Sequence, residues 1–194
     1  MNRLDSAFEL FDTYNRRSPE HLVHDQVDYP AEYFYAIKLY EWVKKLEPEA
    51  SESLLLASRS QHIGRWEIAR TSYPDGRLGY LKWRSDLGRY HAGKASEILE
   101  SVGYERDVID RVKQIIMKQR IKADSEVQTM ENALCLVFLE FQYDDLIAKL
   151  SEEKMIDILR KTWGKMSDPG RNMALSLNYS SDGISLIQKA LKED

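Results

Sequence analysis

Apolar side chains recur at helical spacing along almost the whole chain. Leu4, Ala7, Phe8, Phe11 and Tyr14 stand three and four apart, which predicts an amphipathic helix over residues 2–16. Ser18-Pro19 ends it, and the polar, mixed stretch 20–29 reads as a loop crossing to the main body. Pro30 suits the first turn of a second helix, where the N–H it lacks would have no partner. Tyr33, Phe34, Ile37, Tyr40, Trp42 and Val43 carry that helix to about Leu46, ahead of Pro48. A third helix is predicted over 51–61, with Leu54, Leu55, Ala57 and Ser58 inward and Gly64 placed to end it.

An irregular stretch, 63–76, closes on the turn signal Tyr73-Pro74-Asp75-Gly76. A long helix over 78–101 follows, with Tyr80, Trp83, Leu87, Tyr90, Ala95 and Ile98 as its buried face and Gly103 as its stop. Residues 107–118 form the next, with Val108, Val112, Ile115 and Ile116 inward. Asp124 or Ser125 caps the most apolar helix, whose stripe is Val127, Met130, Leu134, Val137, Phe138 and Phe141. Residues 154–166 are amphipathic through Met155, Ile158, Leu159 and Trp163. After the turn at Asp168-Pro169-Gly170 come short helices at 171–176 and 183–192. No segment reads as a strand, a repeat or a low-complexity tract. The fold expected is all-α, a single-domain helical array over 1–194, with an N-terminal helix at 2–16, core helices over 30–150 and C-terminal helices over 151–194.

Composition adds few constraints. A chain of 194 residues with 43% hydrophobic and 31% charged residues has enough apolar surface for a core and is not disordered in character. Its net charge of −4 removes any global electrostatic case for nucleic acid. The lone cysteine, Cys135, forms no intrachain disulfide, which suits a reducing compartment. Charges interrupt residues 1–12 too often for a signal-peptide core, and the longest uncharged apolar run, 133–139, is far too short for a bilayer. The expectation is a cytoplasmic protein with no membrane association.

Familiar catalytic signatures are absent: no phosphate-binding Gly-rich loop, no G-x-S-x-G, no H-E-x-x-H and no paired C-x-x-C. Cys135 lies within the most apolar helix and reads as a buried, inert thiol. His21 and His24 fall in the polar stretch and read as solvated. His62 follows Ser58 by four and Leu54 by eight, so it faces inward, and His91 shares a face with Leu87, Ala95 and Ile98. Two inward imidazoles are a candidate metal or acid–base pair. On the residues alone the stronger reading is two core histidines, each satisfied by a backbone or carboxylate partner. Glu131 flanks the stripe of Val127, Leu134 and Phe138, and a half-buried carboxylate there needs a partner, either a cation or a metal. Glu67 is a further candidate, and Glu140 a more solvent-facing one.

A third feature is cationic and aromatic. Arg59, Arg65, Trp66, Arg70, Tyr73, Arg77, Lys82, Trp83, Arg84 and Arg89 crowd around the two inward histidines, and Lys118, Arg120 and Lys122 form a second basic segment. Arginine's planar fork matches phosphate and carboxylate. These side chains either pair with the 32 acidic residues on solvated faces or line an anion pocket. The second reading is the stronger, because the cluster surrounds the histidines.

Several segments carry a family resemblance: Tyr35-Ala36-Ile37-Lys38-Leu39, Gln61-His62-Ile63-Gly64-Arg65-Trp66-Glu67-Ile68, Tyr80-Leu81-Lys82-Trp83-Arg84, His91-Ala92-Gly93-Lys94-Ala95, Glu126-Val127-Gln128, the run from Glu131 to Glu140, and Ile158-Leu159-Arg160-Lys161-Thr162-Trp163. Together they resemble the family called domain of unknown function 4202 over nearly the whole chain, with Asn132 standing where the family pattern has an aspartate. A more distant resemblance links residues 54–65, His91 with Lys94-Ala95-Ser96, and Glu131-Asn132 to the HD-domain metal-dependent phosphohydrolases, and implies an HD-like arrangement of helices. Tyr35 stands at that superfamily's first histidine, and Gln61-His62 replaces its His-Asp pair. Either a metal site has been rebuilt from His62, His91 and Glu131, or the pocket has lost its metal and binds an anion through arginines.

The resemblance thus implies a metal-dependent hydrolase of a phosphorylated small molecule or nucleotide. His62, His91 and Glu131 would be both its metal ligands and its catalytic residues, with zinc, manganese or iron as the ion. Arg65, Trp66, Arg84 and Lys122 would bind the substrate. The alternatives are a non-catalytic module for an anion or nucleotide, and an RNA-associated protein marked by binding that falls steeply with salt.

Overall fold

The computed structural model describes residues 2–192. Among the described residues the secondary structure is helical apart from one short hairpin, and the chain divides into two compact units, the first ending at Arg120 and the second beginning at Ile121. No helix among the described residues is long and apolar enough to cross a membrane.

The first unit opens with α1 (Arg3–Asn15), whose N-cap Asn2 accepts from the Asp5 amide. The stretch expected to be a loop is an antiparallel hairpin, β1 (His21–His24) with β2 (Val27–Pro30), in the register His21↔Pro30 and His24↔Val27. Its two-residue turn, Asp25-Gln26, has both φ values positive, at 49° and 64°. That conformation matches the twist of paired strands. Next come α2 (Ala31–Leu46) and α3 (Glu52–Ser60), the latter capped by the Ser51 hydroxyl on the Leu54 amide. After 3-10 turns at Arg65–Glu67 and Arg70–Ser72 come α4 (Gly76–Ser101) and α5 (Arg106–Ile116). Helix α3 packs against α1, α2 and α5, and α4 lies along α5. Phe11, Val43, Leu54, Leu56, Leu99, Val112 and Ile115 are fully buried.

The buried face of α4 differs from the expected one. Gly79, Trp83, Leu87, His91, Ala95 and Leu99 are covered, whereas Tyr80 is 43% exposed and Ile98 only partly covered. The covered positions run at a spacing of four, and Gly79, which has no side chain, gives no apolar signal in the sequence. On α5 the covered residue near the start is Ile109 rather than Val108.

The second unit contains α6 (Ser125–Phe141), the five-residue α7 (Tyr143–Ile147), α8 (Glu152–Lys165), α9 (Asp168–Leu175) and α10 (Ser181–Leu191). Asp124 caps α6 by accepting from the Glu126 and Val127 amides. Helix α6 packs on α9, α8 and α7, and α10 on α8 and α7. Met130, Leu136, Tyr143 and Met155 are fully buried, and the Cys135 thiol is buried near the Thr162 carbonyl.

Asn132 joins α6 to the start of α9. Its Nδ2 donates to Ser167 Oγ at 2.8 Å, and its Oδ1 accepts from the Ser167 amide at 3.0 Å and from Gln128 Nε2 at 3.1 Å. Both ends of the amide are used, so Asn132 has a structural task. Gly170 permits it: a Cβ there would meet Asn132 Cγ and Oδ1 at 2.7 Å. Gly170→Ala is therefore expected to cost about 1–3 kcal/mol, although alanine is ordinarily the better helix former. Thermal unfolding measures this, and a change within about 0.5 kcal/mol would mean that Asn132 swings aside.

Candidate functional site

The histidines and the arginines meet in the first unit. Gly64, in the left-handed region at φ +66°, turns the chain out of α3 toward the 3-10 turn at Arg65–Glu67. This leaves Gln61, His62 and Arg65 on one wall of a cleft of about 350 Å³. The facing wall comes from α4, with Tyr80, Trp83, Arg84 and His91, and the end of α5 adds Ile116 and Lys118. Lys118 has φ +52°, a conformation rare for a residue with a side chain.

The His62 and His91 rings lie edge to face with centroids 5.8 Å apart. His91 is buried, and its Nδ1 is 2.7 Å from the Ile63 carbonyl oxygen. A carbonyl can only accept, so Nδ1 carries the proton. Burial pushes the His91 pKa down to about 4, against the opposing pull of that hydrogen bond and with help from Arg65. The ring is thus neutral at pH 7, and Nε2 holds a lone pair. His62 is partly covered yet ringed by protein atoms, and this desolvation holds its pKa well below the usual value, with His91, Arg65, Lys118 and Arg84 acting in the same direction.

Arg65 sits with its guanidinium 5.3 Å from the Trp83 ring centre. Trp83 is fixed by its indole N–H, which donates to the Ile68 carbonyl at 2.9 Å. Behind Arg65 stands Glu32, a residue the sequence reading passed over. Its Oε1 lies 3.9 Å from Arg65 Nε, and burial raises its pKa to about 7, with Arg65 opposing and Glu20 assisting. A signal was present: Glu32 precedes Ala36, Leu39 and Val43 by four, seven and eleven, all on the covered face of α2. Arg84 is exposed and lies 5.9 Å from the Tyr80 ring centre.

Other sequence candidates fall elsewhere. Trp66 stacks on Tyr14 at 5.9 Å and does not line the cleft. Glu67 accepts hydrogen bonds from the Tyr14 and Tyr90 hydroxyls, which hold its carboxyl below the usual range. Lys122 is an exposed residue of the second unit, and Lys118 is the member of its basic segment that lines the cleft. Glu131, also of the second unit, is buried with Oε1 3.8 Å from Lys165 Nζ. Among the described residues no group of three or more His, Cys, Asp or Glu is placed to hold a metal ion. His62 and His91 make a pair within the first unit, and Glu131, the third residue of the expected ligand set, belongs to the second.

Residues 5–187 match the model of a family described as Domain of unknown function (DUF4202). The chain belongs to this family. Comparison of the DUF4202 chain with curated proteins and with solved structures finds no match. What the site of this DUF4202 protein can do chemically thus rests on its own residues. Three cations, Arg65, Arg84 and Lys118, line the cleft with two neutral imidazoles, and no carboxylate is among the lining residues.

Proposed function

We propose that the cleft of the first unit binds a phosphorylated small molecule through Arg65, Arg84 and Lys118. The observation that carries this reading is charge. The chain as a whole is acidic, with net charge −4, yet the cleft is lined by three cations and no carboxylate. Guanidinium groups held against aromatic rings keep their orientation and lose little freedom when they grip a phosphate. Solvent-facing Arg84 is the member most easily changed without disturbing the core. Titration calorimetry with methyl phosphate should give saturable binding that weakens with salt. Arg84→Glu should weaken it by about tenfold to a hundredfold, and unchanged affinity in that variant would overturn the reading.

A second reading, a metal-dependent hydrolase of the same ligand, is favoured by the paired neutral imidazoles, which are in the protonation state a metal requires. Phosphate oxygens of the substrate would complete the ligand set. Zinc, manganese and iron analysis of the protein beside His91→Ala tests it: near-stoichiometric metal lost in the variant supports a hydrolase, and metal in neither leaves a binding module.

A further inference from the structure

The cleft has an inner wall that the cations do not explain. Gln61 is 4% exposed and lines the cleft. Its Nε2 donates to the Ile116 carbonyl at 3.1 Å, and since that carbonyl can only accept, the orientation of the amide is settled. The remaining end, Oε1, is buried and has no hydrogen-bond partner among the described residues. Buried acceptors are rarely left so, because the lost hydration is not replaced. His91 belongs to the same lining, and with Nδ1–H spent on the Ile63 carbonyl its other ring nitrogen, Nε2, can act only as an acceptor.

Two acceptors with no hydrogen of their own call for a donor. A positively charged donor group on the ligand is a poor choice, because Arg65, Arg84 and Lys118 share the cleft and would repel it. A neutral O–H or N–H suits both. We infer that the ligand is a phosphate monoester whose organic part carries neutral O–H or N–H donors, which Gln61 Oε1 and His91 Nε2 accept while the cations hold the phosphate. This rests on the anion-site reading above. It assigns the cleft to sugar-phosphate or nucleotide chemistry and against esters with an apolar tail, which would leave both acceptors unpaired. The cleft volume, about 350 Å³, lies within the range of small-molecule pockets.

Three probes separate the possibilities by calorimetry at pH 7.5: methyl phosphate with no donors, glucose 6-phosphate with hydroxyl donors, and guanosine monophosphate with base N–H donors. At least one donor-bearing ester should bind about tenfold or more tighter than methyl phosphate, and the one that does identifies the donor. Gln61→Leu should remove that advantage, and circular dichroism of the variant shows whether it is folded. If that variant does not fold, the ranking in the parent protein decides alone. Equal affinity for all three probes, or equal weakening of all three in Gln61→Leu, would overturn the inference and leave the anion site standing. No binding of any probe would overturn both.

Discussion

Asp12→Ala should lower the unfolding free energy by about 3–5 kcal/mol, the range for breaking a buried ion pair. Asp12 on α1 and Arg59 on α3 form a two-pronged pair, with Arg59 Nε at 2.8 Å and Nη2 at 2.7 Å from the two carboxylate oxygens. Each side chain is only 14% exposed, and the guanidinium lies 5.3 Å from the Phe8 ring centre and 5.4 Å from that of Tyr40. Removing the carboxylate strands a charge in this apolar setting, so most of the loss is the desolvation of Arg59. Replacing both residues, as in Asp12→Leu with Arg59→Met, should therefore recover much of it. By contrast, Lys161→Ala removes an exposed pair with Asp157 and should cost no more than about 1 kcal/mol. Urea unfolding of the three variants checks this, and a loss below 1 kcal/mol for Asp12→Ala would show that water reaches the pair.

Glu32→Gln should be nearly neutral near pH 4.5 and more stable than the parent by about 2–3 kcal/mol at pH 8. The carboxyl titrates at an ordinary 4.5 when unfolded and at about 7 when folded, so the native state binds the extra proton between those values. Its favourable contribution is present below pH 4.5 and is lost as pH rises through 7. His91 runs the other way: its pKa falls from 6.5 to about 4, so its contribution is present above 6.5 and is lost as pH falls through 4. In the parent the Glu32 trend partly offsets that of His91, which His62 reinforces, between about pH 4.5 and 6.5. In Glu32→Gln the histidine trend is unmasked, and stability should climb with pH across that window. Chemical denaturation at a series of pH values measures both slopes. A variant that tracks the parent in parallel would mean that Glu32 ionises normally beside Arg65.

The helices were legible because burial repeats with the helical turn and because caps are local. Ser51 and Asp124 act as N-caps where hydroxyl and carboxylate precede an apolar run. The hairpin was not legible. Its strands are four residues each, too short for an alternating pattern to stand out, and Asp25-Gln26 lacks the glycine that usually marks such a turn. Helix α7 has only five residues, below what periodicity detects. In the site, spacing alone placed His62 and His91 inward, and the crowding of cations pointed to Arg65 and Arg84. Lys118, the member of the second basic segment that lines the cleft, lies just after α5 with a left-handed backbone, which periodicity does not encode. Glu32 was missed because a carboxylate in a first helical turn usually serves the helix dipole at the surface.

The buried thiol has a practical consequence. Cys135 is the chain's one cysteine and belongs to the second unit, whereas Trp42, Trp66 and Trp83, three of the four tryptophans, belong to the first. A bulky thiol reagent can reach Cys135 only when its surroundings open, so its labelling rate is a clock for the second unit, while indole emission chiefly watches the first. Coincident denaturation midpoints would make the chain one cooperative whole, and separated midpoints would give each unit a stability of its own, readable without cutting the chain.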